Sequence, residues 1–170
     1  MRKLIICAFM ALILITILAV PAVAQDEKSL TASVTVTDYI NLTITDLPDP
    51  GINFGSVSAG SDNVSELAQN GAGAVTLTVE SDTNVNCNVQ IMGSGDFDDG
   101  DSHTLLLSNA KWSVTDNVSD STPMSTTYST IGTSTAYVEE VVEVWHWLSV
   151  PNDQYAATYS TTFYYRAIEQ

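Results

Sequence analysis

The chain has 170 residues, with 20 acidic against 5 basic side chains and a formal net charge of −15. A polyanion of this strength is repelled by nucleic acid and by anionic lipid surfaces, so no nucleic-acid partner is expected and an anionic lipid surface is a poor one. Divalent cations, basic partners and neutral ligands remain compatible with it.

Residues 1–24 read as a secretory signal peptide. Arg2 and Lys3 form a short basic start, Leu4–Val20 is apolar apart from Thr16, and Ala22-Val23-Ala24 supplies a small-residue cleavage pattern before Gln25. The alternative is a retained anchor, since the apolar run nearly matches a bilayer core of ~30 Å. Cleavage is the preferred reading because the small residues stand where a signal peptidase needs them. Residues 25–170 then form a single β-sandwich domain, with no membrane span after cleavage and a secreted, extracellular or cell-surface location. Cys7 leaves with the leader, so Cys87 has no intramolecular partner. It reads as a buried apolar thiol, with an intermolecular bridge as the alternative.

The polar arm Gln25–Leu30 is followed by Ala32–Ile44, which reads as one long strand. Ala32, Val34, Val36, Ile40, Leu42 and Ile44 share one parity, hydroxyl and amide residues fill the other, and only Asp38 breaks the apolar face. A strand of that length would span ~43 Å, roughly twice the usual extent. The spacing therefore predicts a bend at Asp38. Either the strand crosses there from one sheet to the other, or one half leaves the domain and completes a neighbour's sheet.

Asp46–Gly51 reads as a turn, Ile52–Val57 as a short strand and Ser58–Gly73 as a long polar loop. Ala74–Glu80 and Val85–Met92 alternate cleanly and predict a hairpin around Ser81–Asn84. Gly93–Ser102 is loop. His103–Ser108 and Lys111–Val114 are short strands, the second with Trp112 and Val114 inward, and Met124–Tyr128 is an edge segment. Tyr137–Leu148 fits a helical stripe in part, yet its four valines and two tryptophans favour a strand. Ala157–Ile168 is the last strand, with Tyr159, Phe163, Tyr165 and Ala167 on one face. About eight or nine strands between Gly, Pro, Asn and Asp turns predict an all-β fold, an immunoglobulin-like or jelly-roll-like β-sandwich.

Chemistry is sparse. Asp96, Asp98, Asp99 and Asp101 form the densest acidic cluster and are the candidate ligands for calcium, which takes six to eight oxygens, although the loop lacks the EF-hand spacing. No other cofactor is expected. His146 lies between Trp145 and Trp147 on the parity of Val142, Val144 and Leu148, the place of a hydrogen-bonded core or edge histidine. Trp112, Trp145 and Trp147 are candidate sugar-stacking aromatics, set against ordinary packing. Three sequons, at Asn41, Asn63 and Asn117, are candidate glycosylation sites. No nucleophile motif is present, and the expectation is that the chain is not an enzyme.

Two resemblances follow from these residues. The stretch Ile52–Gly60, then Val75–Val79, then Gly95-Asp96-Phe97, resembles the start of hydin-type immunoglobulin-like domains, β-sandwiches used in adhesion and scaffolding. The Phe54-Gly55 pair, Lys111-Trp112-Ser113, Trp145–Pro151 and Ala157-Thr158-Tyr159 resemble small secreted cell-surface proteins of archaea, especially methanogens. The resemblance implies an envelope or fibre component and supplies no catalytic residues. The sequence thus points to a secreted structural or adhesive cell-surface protein that self-associates, by strand exchange, or joins other envelope components. The alternative is a carbohydrate- or calcium-binding surface module with a glycan as its partner.

Overall fold

The computed structural model describes residues 30–45, 51–67 and 73–170. The expected signal peptide, the expected turn at 46–50 and part of the long polar loop lie outside the described residues. The chain divides into two units, Met1–Val36 and Thr37–Gln170. The described part of the first, residues 30–36, contains no helix or strand and is exposed. The second unit holds the fold.

Its described residues form an all-β sandwich of eleven strands with two single-turn 3-10 helices. The strands are β1 (Leu42–Thr45), β2 (Val64–Ser65), β3 (Val75–Val79), β4 (Cys87–Gly93), β5 (Phe97–Asp98), β6 (Thr104–Leu105), β7 (Ala110–Ser113), β8 (Thr122–Pro123), β9 (Ser129–Ser134), β10 (Glu140–Leu148) and β11 (Phe163–Glu169). One sheet runs β1-β3-β10-β7-β8, with β2 also paired to β10; a second runs β11-β4-β9; β5 and β6 form a small ribbon. All ladders are antiparallel.

Alternation creates the core. Val75, Leu77 and Val79 of β3 and Cys87, Val89 and Ile91 of β4 are buried at every second position, and they meet between the two sheets with Val142, Val144 and Leu148 of β10. Each fully buried aliphatic side chain contributes about 1.5–3 kcal/mol relative to exposure. Cys87 is buried and free, and burial raises its thiol pKa, so it behaves as a small hydrophobe.

The hairpin expected between β3 and β4 is instead an arch. β3 pairs with β1 and β10, whereas β4 pairs with β11 and β9, so the connection carries the chain from one sheet to the other. Buried Thr83 fixes this arch: its backbone N–H donates to Glu80 O at 3.0 Å, and its hydroxyl accepts from Asn41 N–H at 3.0 Å.

Other expectations change as well. The strand predicted over Ala32–Ile44 is a ladder only at Leu42–Thr45. Residues 37–39 are held differently, by Asn84: its N–H donates to Tyr39 O, its side chain accepts from Tyr39 N–H and donates to Thr37 O. Ile52–Val57 is not a strand, although Ile52 and Phe54 do pack on the core. The loop over Ser58–Gly73 contains β2. Val114 is 43% exposed rather than inward, because β7 ends at Ser113. The edge pairing expected from Met124–Tyr128 is made by Thr122–Pro123, and β9 begins only at Ser129.

Candidate functional site

Six strands face only three across the sandwich, and the second edge of β11 carries no ladder partner among the described residues. The core is consequently open beside β11. A groove of about 960 Å³ lies there, between residues 51–59 on one side and 154–163 on the other. Its floor is core side chains that remain only partly buried: Ile52, Phe54, Val150, Tyr159, Phe163 and Tyr165.

Both walls are tied down by backbone bonds. Leu67 N–H donates to Asn53 O at 2.8 Å, and Gly55, at a φ of 69°, donates to the Asn53 side chain at 2.7 Å. The opposite wall is joined to β5 by reciprocal 3.0 Å bonds between Asp98 and Ser160. The groove is therefore a shaped feature of an irregular but hydrogen-bonded backbone.

Behind Tyr165 runs a buried polar chain. The Tyr165 hydroxyl lies 2.9 Å from His146 Nε2, and His146 Nδ1 lies 3.0 Å from Glu66 Oε1. Burial, and then the Glu66 carboxylate, push the Tyr165 phenol far above its ordinary pKa, so it stays protonated and, in the Nδ1–H tautomer of His146, donates to Nε2. Nδ1 then carries the imidazole proton and donates it to Glu66. The His146 ring is 1% exposed and stacks on Phe163 at 5.7 Å. The order carboxylate, imidazole, hydroxyl matches a nucleophilic triad on paper. Here the terminal hydroxyl is a phenol whose ionisation is disfavoured, so the chain of bonds joins β10 in one sheet to β11 in the other and leaves no activated nucleophile.

His146 occupies the core position expected of it. Glu66 was not singled out in the sequence, because it sits in a stretch of polar loop residues where no local pattern marks a buried carboxylate. The parity of the last strand puts Tyr165 on one face with Tyr159, Phe163 and Ala167, but its partner is not readable from that parity.

The acidic cluster folds onto its own backbone. Asp96 accepts from Leu107 N–H at 2.7 Å, Asp98 from Gly100 N–H, and Asp99 from the N–H groups of Asp101 at 2.9 Å and His103 at 3.2 Å. Asp99 also bonds the His103 ring at 2.7 Å. Among the described residues, no three His, Cys, Asp or Glu side chains gather into a metal-holding group. The aromatic residue brought to this loop is Tyr155, stacked on His103 at 3.9 Å and lining the groove.

The tryptophans lie elsewhere. Trp112 is in the core, Trp147 is buried on the other face of β10, and Trp145 is half-buried. Each sequon amide donates to an aspartate: Asn41 to Asp82 at 3.2 Å, Asn63 to Asp62 at 3.0 Å and Asn117 to Asp120 at 2.9 Å. Asn117 is exposed, while Asn41 and Asn63 are partly buried.

No family model matches the chain, and no curated protein is significantly similar to it. Among the described residues, no helix is long and apolar enough to cross a membrane.

Proposed function

We propose that the protein is a secreted structural or adhesive component of the cell surface whose copies join by strand exchange into a fibre. One observation carries this reading. Residues 30–36 alternate apolar and polar, yet they form no strand, and Val34 and Val36 are 88% and 74% exposed. A period-two apolar stretch left in water is costly unless another sheet receives it. The acidic composition and the resemblance to archaeal surface proteins support the same reading, which assigns no reaction to the chain.

The experiment is deletion of residues 25–36 from the secreted protein. Because Thr37–Gln170 is a compact unit, the shortened chain is expected to keep its β-rich circular dichroism spectrum while losing fibres under the electron microscope. A full-length mature protein that stays monomeric at high concentration contradicts the proposal.

The groove favours a second reading, a carbohydrate-binding module. Exposed Tyr155 and the hydroxyls of Ser56, Ser58 and Thr158 line it, a combination suited to the faces and edges of a sugar ring.

A further inference from the structure

The exchange reading names a donor segment but no acceptor, and the following inference rests on it. We infer that the groove beside β11 receives residues 30–37 of a second copy of this chain.

Three observations converge on that occupant. First, the groove is where the sandwich is unfinished. Phe54, Tyr159, Phe163 and Tyr165 are core residues by their contacts, yet they stay partly exposed because nothing in the described chain covers them. Second, β11 has β4 on one edge and no described strand on the other. Its open edge presents backbone donors and acceptors to an incoming strand. β11 has 7 residues, a run comparable to the exposed segment.

Third, the charges match. In a chain of 20 acidic residues, none of the residues lining the groove is Asp, Glu, Lys, Arg or His. An uncharged trough, with an apolar floor and polar but neutral walls, selects a neutral occupant within this polyanion, since burying an unpaired charge there is costly. Residues 29–37 form an uncharged run bounded by Lys28 and Asp38. Within it Leu30, Ala32, Val34 and Val36 share one face, so an added strand turns all four toward the floor. Asp38 then marks the point where the donor leaves the trough.

The test uses two single-sided variants of the secreted mature protein. Val34→Asp with Val36→Asp disables the donor and keeps the groove. Ala157→Trp, at an exposed position of the wall, fills the groove and keeps the donor, with Ser56→Trp on the opposite wall as a second variant should the first lose its circular dichroism spectrum. Light scattering should find each variant monomeric alone and the mixture of the two dimeric, since one intact donor then meets one intact groove. A synthetic peptide of residues 30–37 should bind the donor-disabled monomer saturably, with affinity at least about tenfold weaker when Ala157→Trp is added.

The failures are distinguishable. If the donor-disabled variant forms fibres like the wild type, strand exchange itself is wrong and the inference falls with it. If that variant is monomeric but both groove-filled variants polymerise and bind the peptide normally, exchange stands and the acceptor lies elsewhere. If a neutral cellulose-derived oligosaccharide binds the donor-disabled monomer, is lost in Ala157→Trp, and the peptide does not compete with it, the groove is a sugar site and the inference is overturned.

Discussion

Glu66 accepts two hydrogen bonds from one residue: the backbone N–H of His146 at 3.1 Å and its ring Nδ1 at 3.0 Å, both on the same carboxylate oxygen. Glu66 N–H in turn donates to His146 O at 3.1 Å. The pair continues the β2–β10 ladder with a side chain, and it carries a carboxylate into a place where 8% of the residue remains exposed.

Removing one member strands the other. Glu66→Ala should cost about 1–3 kcal/mol, because His146 keeps its buried ring proton without an acceptor. His146→Phe should cost a similar amount by leaving the carboxylate with fewer donors. The double variant should be less destabilised than the sum of the two. Urea melts of the four proteins give the coupling directly. Additive losses would show that the two side chains act independently.

Tyr165 predicts behaviour at the alkaline end. Its phenol is pushed far above the ordinary value of about 10, first by burial and second by the Glu66 charge. The folded state therefore holds this proton more tightly than the unfolded state does. The corresponding stability is complete below about pH 10 and declines as the pH rises beyond it. Phenolate absorbance should show one tyrosine that ionises only as the fold is lost, and Tyr165→Phe should remove that component. Free titration of every tyrosine in the intact protein would contradict the buried network.

Gly132 of β9 stands against Val142 of β10. A Cβ at this position would lie 2.6 Å from Val142 Cγ2, a distance that real packing does not tolerate. β9 is also bulged here: Val89 pairs with Gly132 and Gln90 with Thr130, so Ile131 is the extra residue. Gly132→Ala should cost about 1–3 kcal/mol by overpacking. Val142→Ala should be less harmful in that background than alone, since it opens the space the new methyl needs. Thermal melts of the single and double variants check both statements.

These residues also show what a sequence can and cannot display. β3 and β4 are visible because Val75, Leu77, Val79, Val89 and Ile91 alternate without interruption, whereas β10 shows through its valines and tryptophans against a partial helical stripe. Alternation reports which face of a strand is buried, not which strand lies next to it. A hairpin and an arch therefore look alike at Ser81–Asn84, and only the buried Thr83 hydroxyl separates them. β9 was hidden because Gly132 and the Ile131 bulge shift its parity midway. The groove is built by residues 51–59 and 154–163, whose shape comes from turns and isolated backbone bonds that have no period. The face shared by Ala32, Val34 and Val36 was readable, but its surroundings were not.

The last prediction concerns the acidic loop. Asp99 accepts from Asp101 N–H, from His103 N–H and from the His103 ring, so the folded loop uses its charged form. The bond from Asp101 N–H is the largest cause holding this carboxyl below the usual aspartate range, and the His103 bonds lower it further against the opposing effect of desolvation. A depressed carboxyl stabilises the fold above its unfolded pKa, and that contribution disappears as the pH falls through the folded value. The window accordingly lies below about pH 4. Asp99→Asn keeps an acceptor oxygen but has no proton to gain, so its melting temperature should fall less steeply than that of the wild type as the solution is acidified through this window. Above it the variant should be somewhat less stable, because an amide is a weaker acceptor than a carboxylate. Parallel acid slopes for the two proteins would mean that Asp99 is as free in the folded chain as in the unfolded one.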